Sequence, residues 1–142
     1  MNVERVTQAT DDVVDALRRL LPQLSQTASP PTREELATLI ASGTRLFVAR
    51  QADTTIVGAL SLGLYLVPTG LKGIVEDVVV DEAARGQGVG EALVRAAQAA
   101  AAEAGATSVG LTSRPEREAA NRLYRRLGFE LRTTNRYVWR PG

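Results

Sequence analysis

Ile74-Val75-Glu76-Asp77-Val78-Val79-Val80-Asp81-Glu82-Ala83-Ala84-Arg85-Gly86-Gln87-Gly88-Val89-Gly90 is the stretch on which the reading of this chain turns. An apolar, β-branched run interrupted by two carboxylates gives way to a short polar connection and three alternating glycines. The alanine-rich segment Glu91 to Ala104 follows. This order predicts a buried strand, a glycine-rich turn and a helix. A helix start carries N–H groups with no partner inside the helix, together with a partial positive charge, so the arrangement builds an anion site. Glycines at alternate positions let several N–H groups converge on a ligand with no side chain in the way, and Arg85 adds a full positive charge at the mouth.

Three other readings of the glycines compete. The dinucleotide fingerprint requires G-x-G-x-x-G, whereas Gly86, Gly88 and Gly90 are spaced G-x-G-x-G, with Glu91 where the last glycine would fall. Asp81 to Arg85 also separates the strand from the first glycine. A P-loop fails because no Gly-Lys-Ser/Thr follows. A ligand-free tight turn needs fewer glycines than this, since each would cost about 1 kcal/mol if helical. A nucleotide diphosphate fits chemically, and the residues alone do not say which one.

The flanking segments read as alternating sheet and helix. Val3 to Val6 predicts a first strand. Thr10-Asp11-Asp12 predicts a helix start, followed by Val13, Val14, Leu17, Leu20 and Leu21 at helical spacing and an end at Pro22. Pro22 to Pro31 is expected to be a loop. Thr32 and Glu35 form a capping-box pair opening a second helix to about Ser42, with Gly43 as its stop. Arg45 to Arg50, Thr55 to about Leu66, and Lys72 to Val80 predict three strands joined as successive antiparallel hairpins, Gly58 and Gly63 marking bulges or close backbone approach. Leu93, Val94, Ala97, Ala101 and Ala104 give the helix after the glycine turn a narrow, small-residue face. Thr107 to Thr112 is expected to be a strand parallel to the one ending at Val80. A helix from Glu116 to Leu127, capped at Gly128, then leads to closing strands over Phe129 to Arg132 and Arg136 to Arg140.

The 142 residues suffice for one domain, spanning 1–142, with a core that needs no staples. Lys+Arg 17 against Asp+Glu 16 leaves a net charge of +1, which argues for neither a nucleic-acid nor a membrane partner. Arginines gather between Arg114 and Arg140, chiefly as a solvated face. The chain has neither cysteine nor histidine, which removes thiol nucleophiles, imidazole bases, disulfides and cysteine- or histidine-ligated metal, and no metal is expected. Acid–base work falls to carboxylates, tyrosines, water or the ligand. No apolar run is long enough to span a bilayer and Met1 to Asp12 carries no signal pattern, so the expected location is cytoplasmic.

Arg85-Gly86-Gln87-Gly88-Val89-Gly90 resembles the R/Q-x-x-G-x-G/A motif of the GNAT superfamily of acetyl-CoA-dependent N-acetyltransferases, with Arg85, Gly88 and Gly90 at the defining positions. Asn121-Arg122-Leu123-Tyr124-Arg125-Arg126-Leu127-Gly128-Phe129 is similar to that family's later A/N-x-x-x-Y-x-x-x-G-F block. The order of elements agrees over nearly the whole chain. The resemblance implies an α/β (α+β) fold: a mixed, mostly antiparallel sheet of six to seven strands flanked by about four helices.

It also implies that acetyl-CoA is the co-substrate, lying in a V-shaped opening between the fourth strand and the strand near Thr107. Main-chain groups around Val78, Val79 and Val80 would meet the pantetheine arm. Amides of Gly86, Gln87, Gly88, Val89 and Gly90, with Arg85, would hold the diphosphate, and Asn121 would touch the arm. An equivalent tyrosine in the family lies near the thioester sulfur, so Tyr124 is expected to bind the donor and to protonate the departing thiolate; ordinary core packing is its plainer role.

The expected base is Glu76 or Asp77, directly or through water, because these carboxylates interrupt an apolar strand. Strand alternation would send them to opposite faces, and related small-amine acetyltransferases carry an acid at the place of Glu76. Without cysteine no thiol acyl-enzyme can form, so direct attack in a ternary complex is expected. The acceptor is a primary amine of a small molecule or peptide, in a pocket lined by Pro22 to Pro31, the strand with Tyr65, and Thr133 to Trp139. A non-catalytic acyl-CoA-binding regulatory domain is the alternative. Dimerisation is common in the family, and Phe129 to Trp139 offers strands for a homodimer.

Overall fold

A computed structural model describes residues 1–142 as two compact units, Met1–Thr112 and Ser113–Gly142. The first is a five-stranded sheet in the order β1 (Asn2–Arg5), β2 (Arg45–Arg50), β3 (Ile56–Val67), β4 (Gly70–Val80), β5 (Ser108–Gly110). The first four strands are antiparallel neighbours, and β5 runs parallel to β4. Helices α1 (Asp11–Leu24), α2 (Arg33–Ala41) and α3 (Val89–Glu103) belong to the same unit.

Local chemistry explains most boundaries. Thr32 and Glu35 form both bonds of the capping box, the Glu35 N–H donating to Thr32 Oγ1 at 3.1 Å and the Thr32 N–H to Glu35 Oε1 at 3.0 Å. Thr10 at the start of α1 makes no such bond, since its hydroxyl donates to Asp12 Oδ1 and accepts from no helix amide. α1 also runs through Pro22 to Leu24, beyond the expected stop. A proline in the last turn removes only one helical bond, and the Ser25 N–H still closes that turn on Leu21 O.

The two faces of the sheet carry different helices. Leu46, Val48, Ala59 and Val79 pack with Val13, Leu17, Leu20 and Leu36 in the core under α1 and α2. On the opposite face, a Cβ placed on Gly58 would lie 2.8 Å from Val89 Cγ1 and 3.0 Å from Leu93 Cδ1. The missing side chain therefore lets the first turn of α3 press onto β3. Gly58→Ala is expected to lower stability by about 1–3 kcal/mol through overpacking, read as a fall in the midpoint of urea unfolding. An unchanged midpoint would mean that α3 shifts outward at no cost.

The second unit contains α4 (Glu118–Arg126), closed at Gly128 with φ +95°. The expected closing strands at Phe129 to Arg132 and Arg136 to Arg140 do not form, so the sheet has five strands, not six to seven. A strand needs a ladder partner and a covered face, and this segment has neither: Leu131, Tyr137 and Trp139 are each at least 80% exposed. The strand expected over Thr107 to Thr112 is likewise reduced to Ser108–Gly110.

Candidate functional site

β4 and β5 pair only over Lys72↔Ser108, Gly73↔Val109 and Ile74↔Gly110. β4 continues to Val80, so its β5-side edge is left without a strand from Val75 onward. A bulge lies in this free stretch. On β3, Ala59 pairs with Val79 and Ser61 with Glu76, so two residues of β4, Asp77 and Val78, oppose Leu60 alone. Asp77 takes φ +51°, a left-handed conformation that aspartate tolerates better than most side chains.

The bulge resets which groups face the open edge. Before it, the Thr107 N–H donates to Leu71 O at 2.8 Å, so the backbone groups of Leu71, Gly73 and Val75 turn toward β5. After it, the Asp81 N–H donates to Val57 O at 2.8 Å on the β3 side, so alternation turns those of Val80 and Val78 to the open edge and Val79 toward β3. The same insertion breaks the expected alternation of Glu76 and Asp77. Glu76 lies on the α1–α2 face, as Val79 does three residues later, and Asp77 occupies the bulge itself. Both carboxylates are exposed and make no ion pair.

From Val80 the chain enters a single 3-10 turn, Glu82–Ala84, capped by Asp81, whose Oδ1 accepts from the Ala83 N–H. Gly86 and Gly88 follow at φ +80° and +79°, with nothing within 4 Å of where a Cβ would stand on either. Gly88 is the N-cap of α3 and offers no side chain to its amides. The first closed bond of the helix is Ala92 N–H to Gly88 O, so the N–H groups of Gly86, Gln87, Gly88, Val89 and Gly90 find no acceptor within the chain. The Arg85 side chain is exposed beside them. Five amides, a helix N-terminus and an arginine suit a diphosphate, and the open edge at Val78 and Val80 suits an amide-bearing chain running from it. The donor set therefore fits coenzyme A.

Asn121 and Tyr124 belong to the second unit. Both amide hydrogens of Asn121 are taken, by Arg114 O and Arg117 O at 2.9 Å each, which ties the chain before α4 to the helix and leaves Asn121 Oδ1 without a partner in the chain. Tyr124 is 8% exposed and meets Phe129 edge to face at 5.9 Å between ring centres. Burial pushes its phenol pKa up, against a smaller downward pull from Arg117.

The features that sequence reasoning missed are the bulge at Asp77 and the ties from α1 to the connection after β4. An aspartate inside a strand signals the first weakly. The second joins residues 62 apart and leaves no local signal. An open cavity of about 440 Å³ lies among Arg5, Arg45, Phe47, Ala100, Glu103 and Ala104, toward the C-terminal end of α3.

Comparison with known proteins agrees with this geometry. The model of the acetyltransferase (GNAT) family matches residues 10–129. An acetyltransferase from Trypanosoma brucei is similar at 27% identity and TM-score 0.79, with 96% of this chain and 97% of that one covered. A transcriptional regulator from Bacillus halodurans is similar at 26% identity and TM-score 0.72, covering 97% and 98%. An aminoglycoside acetyltransferase from an uncultured soil metagenomic sample, at 23% identity, shares the fold with TM-score 0.82 over 99% and 96%. A search of curated proteins returned no match. With a family match running from α1 through Phe129, across both the glycine cradle and the Tyr124 helix, the chain belongs to the acetyltransferase (GNAT) family and is an acetyl-CoA-dependent N-acetyltransferase.

Proposed function

We propose that residues 1–142 act as one catalytic domain that acetylates a primary amine of a small molecule or peptide by direct attack within a ternary complex. The observation that carries this reading is the set of five unbonded amides from Gly86 to Gly90, placed where the free edge of β4 ends. The donor supplies an activated acetyl thioester. Arg85 and the amides bind its diphosphate, while main-chain groups of Val78 and Val80 and the remaining Asn121 oxygen bind its amide arm. Glu76 takes the proton of the incoming ammonium, directly or through water, with Asp77 as its neighbour for a cationic acceptor. Two exposed, unpaired carboxylates favour a positively charged acceptor over an anionic one. Tyr124 returns a proton to the thiolate. A cytoplasmic location belongs to the same reading, which rests on the donor.

A thiol-release screen with acetyl-CoA against amines, polyamines, amino acids and peptides tests both activity and acceptor class. The expected result is release that depends on a cationic amine and gives intersecting initial-rate lines. Acetyl label retained on the protein as an obligatory intermediate would overturn direct attack. Coenzyme A binding with no release toward any amine would favour a regulatory role, a reading supported by the similarity to the Bacillus halodurans regulator.

The exposed segment from Phe129 to Trp139 supports a homodimer as part of this proposal, because Leu131, Tyr137 and Trp139 leave more apolar surface in solvent than a monomer usually does. Light scattering on the full chain is expected to give twice the chain mass, and a monomer at micromolar concentration would remove the dimer.

A further inference from the structure

We infer that Arg19 and Gln23 of α1 are positioning residues for the glycine cradle, acting through the first two residues of the connection that carries it. The inference rests on the reading of that turn as the coenzyme A site. The Arg19 guanidinium spans two anchors: Nη1 donates to Asp81 Oδ2 at 2.7 Å and Nη2 to Ile56 O at 2.8 Å. One helical turn later, Gln23 Oε1 accepts from the Glu82 N–H at 2.9 Å. Asp81 is the hub of this connection. Its amide is bonded to Val57 O, its carbonyl accepts from the Ala84 N–H, and its other carboxylate oxygen accepts from the Ala83 N–H.

Beyond Asp81 little else holds the chain. Glu82, Ala83, Arg85, Gly86, Gln87 and Gly88 are all exposed, and between Asp81 and Val89 only Ala84 is buried. Two glycines in left-handed conformations with open space around them impose no direction of their own. The direction in which the amides point is therefore set at the two ends, by α3 docked over Gly58 and by α1 gripping Asp81 and Glu82. The Arg19–Asp81 pair is partly solvated, with side chains 43% and 19% exposed, so its stabilisation of the whole fold is small. Its effect is concentrated on the aim of a short segment, which a displacement of a fraction of an ångström would spoil.

The test measures the Kd of coenzyme A by calorimetry, together with KM for acetyl-CoA, kcat and the melting temperature. Arg19→Ala combined with Gln23→Ala is expected to weaken coenzyme A binding and raise KM by about tenfold, with kcat at saturating donor within about twofold. Arg19→Lys, which can hold Asp81 or Ile56 O but not both, should fall between. A cycle pairing Arg19→Ala with Asp81→Asn should show that the two losses of affinity do not add. Unchanged Kd and KM in folded variants would overturn the inference, as would a fall in melting temperature with no split between KM and kcat. If the unaltered chain binds no coenzyme A, the reading of the site itself fails; if it binds and the variants bind equally, only the positioning role fails.

Discussion

Gly88→Val lowers coenzyme A affinity and the donor-limited rate by about 100-fold while leaving the fold in place. The backbone at Gly88 sits at φ +79°, where a side chain costs about 1–2 kcal/mol and a β-branched one more. Nothing lies within 4 Å of the new Cβ, so no packing holds the residue in that conformation. Leaving the left-handed region relieves the strain, and the amides of Gly88 and Val89 then swing away from their neighbours. Each charge-assisted hydrogen bond lost to a phosphate is worth about 1.5–3 kcal/mol, and 1.4 kcal/mol is tenfold in affinity.

Gly105 supplies the control. It has φ +87°, equally open surroundings, and lies just past the other end of α3, where its N–H closes the helix on Ala102 O. Gly105→Val should cost about 1–2 kcal/mol of stability, the price of the same backbone strain, and leave the Kd of coenzyme A unchanged. Calorimetric titration and thermal melts on both variants separate the two effects. Equal coenzyme A affinity in Gly88→Val and the unaltered chain would remove the cradle from the binding site.

This contrast shows what the sequence could convey. The strand, connection, glycines and helix from Ile74 to Ala104 were legible because each is specified by neighbours in the chain: β-branched residues, a capping aspartate, glycines, alanines at helical spacing. Thr32 and Glu35 were legible for the same reason. The bulge at Asp77 was not, because it is decided by how β3 and β4 register against each other, and the change of face it imposes on Glu76 follows only from that register. The ties from Arg19 and Gln23 to Asp81 and Glu82 depend on where α1 docks. The tail from Phe129 to Arg140 has the composition of strands, yet composition supplies no partner, and a strand without one does not form.

Tyr124→Phe separates chemistry from packing at the second motif. The ring, its contact with Phe129 at 5.9 Å and its burial are all kept by phenylalanine, and the hydroxyl makes no hydrogen bond in the folded chain. Removing a hydroxyl with no partner in the chain should leave the melting temperature nearly equal, within about 1 kcal/mol in stability. A tyrosine that only packed would show that change and no other. A tyrosine that protonates the thiolate should show a fall in kcat of about 100-fold or more beside it, with KM for acetyl-CoA nearly unchanged. The pH dependence gives an independent reading. Burial raises the phenol pKa above its ordinary 10.0, so the acid form persists at every pH below that value and is lost only as the pH rises through the raised one. Folding stability follows the same sign, since an ionised phenol is favoured in the unfolded chain: the stabilisation is complete below pH 10.0 and declines above it. The unaltered protein should therefore lose both rate and stability on the alkaline side, whereas Tyr124→Phe should lack the tyrosine-dependent part of each decline. Full kcat in Tyr124→Phe, with an unchanged alkaline profile, would return Tyr124 to the core and leave proton delivery to water.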